Sequence, residues 1–406
     1  MGQLAIAGAL VFDGKDTLPF GEAIVLVEGE RIAWLGPARD APVGWDRGLV
    51  IDGTGQTLLP GLINCHVHLS ADPDPRFLPA VALADSPALA TLRAARNARL
   101  TLQAGETTVC DMGSTKPGIV IDLAKAIAQG LVPGPRVLAA GSAICMTGGH
   151  GWFIGREADG PDEVRKAARE QLKLGADLVK LMATGGVLTP GLEVGGIGLS
   201  ETEMRAGVEE AHNAGKRTAT HAIGTAGVKN ALRAGIDSVE HGCLLDDECI
   251  ELLLKSGAYY VPTLAAVTQI VRNASHGQMA DYAVHKARQV YERHCASFKQ
   301  AAEAGARIAA GTDASTPYNP HGGLALEVEL MVENGYTARQ ALRSATSEAA
   351  RLLGLADQVG ALEVGRQADL LLVAGDALSD VRALNAVRAV VKAGGLVGGG
   401  AVLAGA

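Results

Sequence analysis

Aromatic residues are scarce in this chain, and no stripe of basic residues interleaved with them is present. Phe, Trp and Tyr make up 3% of the 406 residues, and the formal net charge is -8. Proteins that bind nucleic acid or anionic membranes need clustered positive charge, and stacking on unpaired bases needs aromatic rings. These deficits exclude nucleic acid and a membrane surface as the expected main partner.

Long apolar runs and paired cysteines are also missing. No uninterrupted apolar stretch is long enough to cross a bilayer, and the N-terminus MGQLAIAGALVFDG lacks the basic leading segment of a signal peptide. The six cysteines are widely spaced and include no CxxC pair. We therefore expect a cytoplasmic protein with reduced cysteines that acts on a small molecule, and a closed homo-oligomer as the default assembly.

Short β-branched runs broken by turn residues occupy both ends of the chain. AIAGALVFDG, EAIVLVEGERIAWLG and LVIDGTGQTLLPG lie near the start, and GALEVGRQADLLLVAGD and AVRAVVKAGGLVGGG lie near the end. Two such regions flanking a different middle predict one small β-sandwich domain built from both termini, residues 1–58 and 357–406. The glycine-rich end indicates a final hairpin rather than a phosphate loop, because no GxGxxG there enters a helix.

Strand and helix patterns alternate between residues 59 and 356. The predicted strands are Leu62–His68, Thr107–Met112, Arg136–Gly141, Asp177–Ala183, Arg217–His221, Ile236–His241, Ala258–Leu264 and Ala306–Asp313. Helical spacing lies between most of them, as in PDEVRKAAREQLKLG and QMADYAVHKARQVYERHCASFKQAAEAG. Eight strands alternating with helices over this length predict a (β/α)8 barrel. A doubly wound open sheet is the competing layout, but it would place its site at one switch point.

Six chemistry-bearing residues accompany these strands. They are His66 and His68 in LPGLINCHVHLS, Lys180 in GADLVKLMATGG, His221 in ATHAIG, His241 in SVEHG and Asp313 in AAGTDAST. The first, fourth, fifth, sixth and eighth strands supply them, and only a closed barrel brings these strands together. Because such barrels carry their chemistry at one rim, we predict a single metal site there.

The four histidines are typical of imidazole ligands. His66 and His68 are two apart on a strand, so both side chains leave the same face while Val67 points away. An HxH pair alone is weak evidence, and a lone buried histidine is usually a satisfied core residue. His221 and His241 end consecutive strands that face this pair, which favours metal ligation for all four.

Lys180 and Asp313 require a separate explanation. Lys180 lies in the otherwise apolar run ADLVKLMA, where an unpaired ammonium is costly. An ion pair or a side chain that reaches solvent would explain it, but we favour an amine carboxylated by carbon dioxide, an anionic ligand that can bridge two metal ions. Asp313 alone is typical of a helix cap, whereas in this set it can bind a metal and accept the proton of an attacking water.

The ordered pattern HxH, Lys, His, His, Asp resembles the amidohydrolase superfamily in its binuclear form, over essentially the whole chain. GREADGPDEVRKAAREQLKLGADLVKLMATGGVLTP and GTDASTPYNPHGG resemble the branch of prolidase-like dipeptidases and metal-dependent carboxypeptidases. The resemblance implies two zinc ions, an attacking hydroxide shared between them, and Asp313 as general base. It implies one zinc on His66, His68 and Asp313, a second on His221 and His241, and N6-carboxylated Lys180 as the bridge.

Substrate-facing candidates follow the third and eighth strands. The resemblance suggests that His150 in MTGGHGWF binds a free carboxylate of the substrate, the alternative being a solvated loop histidine. Trp152 and Phe153 would wall the pocket or anchor the loop, and Tyr318 and His321 are further substrate-binding candidates. The remaining histidines are interpreted as structural or solvated: His212, His276, His285 and His294.

The predicted function is zinc-dependent hydrolysis of the amide bond of a dipeptide or N-acyl amino acid, as in an Xaa-Pro dipeptidase or a carboxypeptidase. The alternatives are a hydrolase of another amide, a carbamate or a lactone, or a deaminase or imidazolonepropionase-type ring hydrolase of the same fold. A non-catalytic scaffold that has lost its metals is a third. Lys180 argues against the ring hydrolases, which generally lack the bridging lysine, and the complete ligand set argues against the scaffold.

Overall fold

The computed structural model describes residues 3–15, 20–76 and 83–398. The chain forms two compact units. One comprises Met1–Asn64, Arg99–Thr108 and Gly322–Ala406, and the other comprises Cys65–Ala98 and Val109–His321. The domain boundaries predicted from the sequence stay a prediction.

Strands and helices are numbered in chain order. The strands are β1 (Gln3–Val11), β2 (Phe20–Glu28), β3 (Arg31–Pro37), β4 (Leu49–Asp52), β5 (Gln56–Pro60), β6 (Leu62–Val67), β7 (Glu106–Asp111), β8 (Arg136–Ala139), β9 (Ala143–Cys145), β10 (Gly155–Glu157), β11 (Leu178–Met182), β12 (Arg217–Ala222), β13 (Ser238–His241), β14 (Tyr259–Val261), β15 (Arg307–Ile308), β16 (Leu370–Ala374), β17 (Val387–Lys392) and β18 (Gly395–Gly398). The helices are α1 (Pro87–Gln103), α2 (Ile119–Ala128), α3 (Pro161–Leu174), α4 (Glu201–Asn213), α5 (Thr225–Ala234), α6 (Asp247–Ser256), α7 (Leu264–Arg272), α8 (Asp281–Glu303), α9 (Leu324–Glu333), α10 (Ala338–Ser344) and α11 (Ser347–Leu352).

A sheet assembled from both ends of the chain dominates the first unit. Its strand order is β18-β17-β16-β5-β1-β2-β3, and β4 pairs with β1. The antiparallel pair β16 and β5 joins the two ends, with Leu370 opposite Pro60. Alternate residues such as Val25 and Val27 on β2 share one buried core with Leu370 and Leu372, which confirms the predicted small β domain from both termini. The end of the predicted glycine-rich hairpin, residues 399–406, lies outside the described residues.

Parallel strands form the barrel. The order β9-β11-β12-β13-β14-β15 continues one sheet, and β6-β7-β8 form another. Within the second unit, the Asp177 amide donates to the Ala139 carbonyl at the end of β8 (2.8 Å) and so connects β8 to the start of β11. The Cys65 amide donates to the Ala310 carbonyl (2.9 Å), which connects the segment after β15 to β6. The predicted (β/α)8 barrel is therefore confirmed.

Several predicted strands are shorter than expected, and three of them end early for a backbone reason. The third is interrupted where Gly141 adopts a positive φ of 74°, which separates β8 from β9. The seventh ends before Pro262, which has no amide hydrogen for the ladder, and before Thr263 at φ 52°. In the eighth, only Arg307–Ile308 is regular, because the chain leaves extended geometry before Asp313 at φ 56°.

The two helices predicted in detail are present, and their ends follow ordinary capping rules. α3 starts with Pro161 at its first turn and stops at Gly175, whose φ of 101° suits glycine. α8 covers the long predicted helix between Gln278 and Gly305. None of the helices in the described ranges is long and apolar enough to cross a membrane.

Candidate metal centre

The six predicted ligands lie together in the barrel, most of them at or just after the carboxyl ends of its strands. His66 is near the end of β6 and His68 directly follows it, while His241 is the last residue of β13. The ring centroids of His66 and His241 are 5.1 Å apart, and those of His221 and His241 are 4.5 Å apart. All six residues line one cavity that opens to solvent.

Two imidazole nitrogens lie close to the Asp313 carboxylate. Its Oδ1 lies 3.2 Å from His68 Nε2 and 3.5 Å from His66 Nε2. One potential ligand atom from each of His66, His241 and Asp313 lies within 4.8 Å of the others. This spacing suits a metal ion bound among imidazole nitrogens and a carboxylate oxygen.

Hydrogen bonds at the far side of the HxH rings fix their orientation. His66 Nδ1 lies 2.7 Å from Glu240 Oε2, and His68 Nδ1 lies 2.8 Å from the Gly113 carbonyl oxygen. Because both partners accept, each Nδ1 donates and each Nε2 keeps its lone pair for a metal. Ligating histidines are usually held in this way by a carboxylate or a backbone carbonyl.

The other two histidines are oriented differently from each other. Thr263 Oγ1 donates to the Pro262 carbonyl (2.7 Å), so it accepts from His241 Nδ1 (2.7 Å) and leaves His241 Nε2 free for a metal. His221 instead directs Nε2 toward the Gly185 carbonyl at 3.4 Å, a long contact. Its Nδ1 is therefore the nitrogen available as a ligand.

Lys180 lies in the middle of β11 with its side chain in the cavity. It is 1% exposed, and its Nζ has no hydrogen-bond partner in the part of the chain that the structure describes. Burial lowers its pKa, against the opposing effect of Glu240 and Asp313. A lowered pKa favours the neutral amine, which is the form that can react with carbon dioxide.

Burial and neighbouring charges separate the two acidic groups beside Lys180. Burial raises the pKa of Glu240 to about 7, although Lys180 acts in the opposite direction. Burial also acts to raise the pKa of Asp313, but His66 and His68 outweigh it and the pKa falls to about 2. Asp313 is therefore the carboxylate that stays ionised across the physiological range.

Left-handed backbone conformations cluster around these ligands. His241 has φ 71°, Thr263 has φ 52°, Asp313 has φ 56° and Ser315 has φ 99°. Residues with a Cβ rarely adopt such angles, and each case costs free energy of order 1–3 kcal/mol. Strain of this kind concentrates at functional sites, where the position of the side chain matters more than a low-energy backbone conformation.

His150 lies inside the cavity beside the ligands. Its ring centroid is 4.1 Å from that of His221, and its Nδ1 is 2.8 Å from Thr189 Oγ1. Phe153 also lines the cavity, whereas Trp152 does not and is 38% exposed.

Tyr318 and His321 lie away from the cavity lining. The Tyr318 hydroxyl donates to Gln278 Oε1 (2.9 Å), and His321 Nε2 donates to the carbonyl of Ala71 (2.9 Å). Ala71 lines the cavity, so the His321 ring contacts the backbone of a residue that forms the site. The structure thus places His150 in the cavity and Tyr318 and His321 outside its lining, and the substrate-binding roles of all three stay predictions.

The histidines interpreted as structural or solvated have ordinary environments. His212 contacts Asp237 at the surface, His276 stacks near Tyr318, and His285 is exposed on α8. His294 is buried and donates from Nε2 to the Pro262 carbonyl (2.7 Å), the group that also accepts from Thr263.

Sequence reasoning missed the residues that orient the ligands. Glu240 binds His66 from the strand that carries His241, and it also accepts from Ser238 Oγ (2.6 Å). An acid inside the predicted strand run SVEH was a usable signal, because an ionisable residue in a barrel strand needs a partner. Thr263 had no comparable signal, since its role depends on a left-handed backbone.

A family model for the amidohydrolase family matches residues 57–397. The chain therefore belongs to the amidohydrolase family, and the prediction that it is an enzyme of this family is confirmed. Ochratoxinase from Aspergillus niger is 31% identical over 412 aligned residues, which cover 95% of this chain and 83% of the relative.

Solved structures agree with this assignment. A Xaa-Pro dipeptidase with bound methionine in its active site superposes with a TM-score of 0.89 at 32% identity, covering 97% of this chain and 99% of that one. A prolidase complexed with N-methylphosphonate-L-proline gives 0.88 at 30% identity, with coverages of 97% and 99%. Aspergillus niger ochratoxinase gives 0.86 at 30% identity, with coverages of 98% and 96%. These similarities place the chain in the prolidase-like part of the family.

Proposed function

We propose that this protein uses two zinc ions to hydrolyse the amide bond of a dipeptide or an N-acyl amino acid that carries a free carboxylate. The observation that carries the proposal is the buried Lys180 amine, which lacks a hydrogen-bond partner among the described residues and lies between four histidines and an aspartate. A carbamate on this amine bridging two cations would satisfy it.

The donor set fits such a centre. His66, His68 and Asp313 would hold one ion, His221 and His241 the other, and carboxylated Lys180 would lie between them. When bound, the ions would activate a water molecule and polarise the scissile carbonyl. Two cations also need nearby anionic ligands, which the carbamate and Asp313 would provide.

Asp313 is suited to carry the proton through the reaction. It is ionised at neutral pH, and its Oδ1 is already within 3.5 Å of two ligand nitrogens. It would accept the proton of the attacking water and transfer it to the departing amine.

His150 is suited to recognise the substrate carboxylate. Thr189 Oγ1 accepts from the Gly151 amide (3.2 Å), so its own hydrogen is available to His150 Nδ1, which leaves the hydrogen of His150 on Nε2. Burial lowers the pKa of His150 to about 4, so the ring is neutral at pH 7. A neutral Nε2–H still donates a strong hydrogen bond when its acceptor is a carboxylate.

The relatives support this substrate class. The related structures include a Xaa-Pro dipeptidase with methionine in its active site and a prolidase with a phosphonate derivative of proline. Both bound molecules are amino acids or close derivatives of one. A cytoplasmic location belongs to the same proposal and is supported by six free cysteines.

Metal content tests the centre directly. Elemental analysis of the purified protein should find about two zinc ions per chain, and a strong chelator should abolish hydrolysis. Fully active protein with one ion or none would contradict the binuclear proposal.

Substrate recognition is tested by a library of dipeptides and N-acyl amino acids assayed beside their amidated forms. His150→Ala should lower kcat/KM for free carboxylates by about 10- to 150-fold, from about 1.5–3 kcal/mol for a hydrogen bond to a charged group, with unchanged zinc content. His285→Ala, at an exposed histidine, is the matched control. An equal loss on free and amidated substrates would remove His150 as the carboxylate anchor, and turnover of carbamates or lactones alone would favour the alternative hydrolases.

A further inference from the structure

One side of the cavity is formed by aliphatic side chains from three segments, which we call the apolar wall. Its members are Val187, Leu188, Ile223, Val267 and Ile270. Val187 and Leu188 lie on the loop after β11, Ile223 follows β12, and Val267 and Ile270 are on α7. All five belong to one hydrophobic cluster. The wall is therefore an extension of the core that reaches the site.

Two side chains of α8 hold the loop part of the apolar wall in place. The Tyr282 hydroxyl donates to the Leu188 carbonyl (3.0 Å), and Lys286 Nζ donates to the Thr189 carbonyl (2.8 Å). A bridge between Thr184 and Ile197 closes the same loop at its base. These bonds give Leu188 a defined position, as a substrate contact requires.

The apolar wall is adjacent to the group proposed to bind the carboxylate. Thr189, the residue after Leu188, bonds His150 through its hydroxyl. In an amino acid the carboxylate and the side chain leave the same Cα. A carboxylate bound at His150 therefore brings the side chain of the same residue to the wall beside Thr189.

The members of the apolar wall carry no charge. Among the described residues that line the cavity, Lys180 and Asp313 are the only members of the Lys, Arg, Asp and Glu classes, and both are proposed metal ligands. A charged substrate side chain against the apolar wall would lose its hydration and gain no ion pair. An aliphatic or aromatic side chain would gain from leaving water.

We propose that the apolar wall is a specificity subsite for the C-terminal residue of the substrate, and that it selects large apolar side chains such as those of leucine, methionine and phenylalanine. This inference rests on the proposed function, since it assumes an amide substrate with a free carboxylate at His150. It adds the chemical class of the amino acid that is released.

The first test uses the native enzyme and a substrate series that differs in one residue. Leucine, methionine, phenylalanine, aspartate and lysine are each presented as the N-acetyl amino acid and as the C-terminal residue of an Ala-Xaa dipeptide. The kcat/KM values for the three apolar residues should exceed those for aspartate and lysine by about 100-fold or more, because the site cannot pair a charge. Equal or reversed values would overturn the subsite, whereas no turnover of any member would contradict the proposed function instead.

The second test changes the apolar wall itself. Leu188→Lys should lower kcat/KM for C-terminal leucine by about tenfold or more and raise it for C-terminal aspartate, since it removes apolar area and supplies a cation. Leu192→Lys is the matched control, because Leu192 is on the same loop and does not line the cavity. Zinc content and the thermal unfolding midpoint check that each variant is folded.

A milder substitution guards against misfolding. Leu188→Ala should reduce the ratio of kcat/KM for leucine over alanine at the C-terminal position by about tenfold, the usual effect of removing a few methylene contacts. An unchanged leucine-to-aspartate ratio in Leu188→Lys, together with an unchanged leucine-to-alanine ratio in Leu188→Ala, would overturn the proposal.

Discussion

Glu106 at the start of β7 and Lys180 in the middle of β11 are both buried ionisable residues in strands, and their surroundings are opposite. Each is 1% exposed. Glu106 accepts hydrogen bonds from Asn64 Nδ2 and from the Leu324 amide, both at 3.0 Å. Lys180 Nζ has no hydrogen-bond partner within the described ranges.

The difference separates a structural group from a group that needs a ligand. Glu106 connects three segments that are far apart in sequence, and its two partners satisfy one oxygen each. Nothing further is needed to explain its burial. The burial of Lys180 also has a desolvation cost, but no hydrogen bond among the described residues compensates it. A folded protein tolerates such a group when it serves a function.

The largest expected effect comes from removing the unsatisfied group. Lys180→Ala should lose bound metal and lower kcat/KM by about a thousandfold or more, because a catalytic metal contributes several kcal/mol of transition-state stabilisation. Metal content and turnover are measured together. Lys173→Ala, at an exposed lysine of α3, is the matched control.

A short carboxylic acid at high concentration should partly restore the Lys180→Ala variant, because its oxygens replace those of the carbamate. If the variant keeps two metals and normal turnover, the difference between Lys180 and Glu106 has no functional meaning.

Glu106, whose carboxyl oxygens are hydrogen-bonded, should affect stability rather than catalysis. Burial raises the pKa of Glu106 to about 7, although its bonds to Asn64 and Leu324 act in the opposite direction. Between its ordinary pKa of 4.5 and about 7, the folded state keeps a proton that the unfolded state releases. The free energy of unfolding should therefore fall by about 3 kcal/mol as the pH rises through this window.

Glu106→Gln should remove that fall while turnover stays close to the native value. Urea unfolding at several pH values measures the free energy of unfolding of the native and the variant protein. The difference between the two is compared across pH, because the contributions of other titrating groups cancel in it. Glu292→Gln, at an exposed glutamate of α8, is the control. A native and a Glu106→Gln protein with parallel pH profiles would show that Glu106 is not protonated in the folded state.

Glu240 lies between these two cases, since it is satisfied and also contacts a proposed ligand. Glu240→Gln keeps an oxygen near His66 Nδ1 but removes its charge, and it should reduce metal affinity or activity by about 10- to 100-fold. Competition with a metal-sensitive dye measures the affinity. Native affinity in the variant would mean that the carboxylate charge does not support His66 as a ligand.

The sequence predicted the barrel and the proximity of its ligands because both follow from short-range rules. The period of a strand places His66 and His68 on one face, and alternating strands and helices place the strand ends at one rim. Tertiary geometry determined what sequence could not predict. Thr263 orients His241 from a left-handed position, and the contribution of the Leu188 loop depends on bonds from α8.

The position of Tyr318 and His321 after the eighth predicted strand made both of them substrate-binding candidates, and that role stays a prediction. The left-handed turns at Asp313 and Tyr318 redirect the chain, and Tyr318 ends beside Gln278 instead. Neither turn contains a glycine that would have marked it.

The sheet built from both chain ends has a consequence for synthesis on the ribosome. Thr57 on β5 donates from Oγ1 to the Gly375 carbonyl just after β16, and Gly375 is 318 positions later in the chain. At about 5–20 residues per second, β5 would wait about 15 to 60 s for its partner strand to be translated. During that interval β5 presents an apolar, unpaired edge, a state prone to wrong pairing. We therefore expect nascent chains to depend on chaperones more than the finished enzyme does.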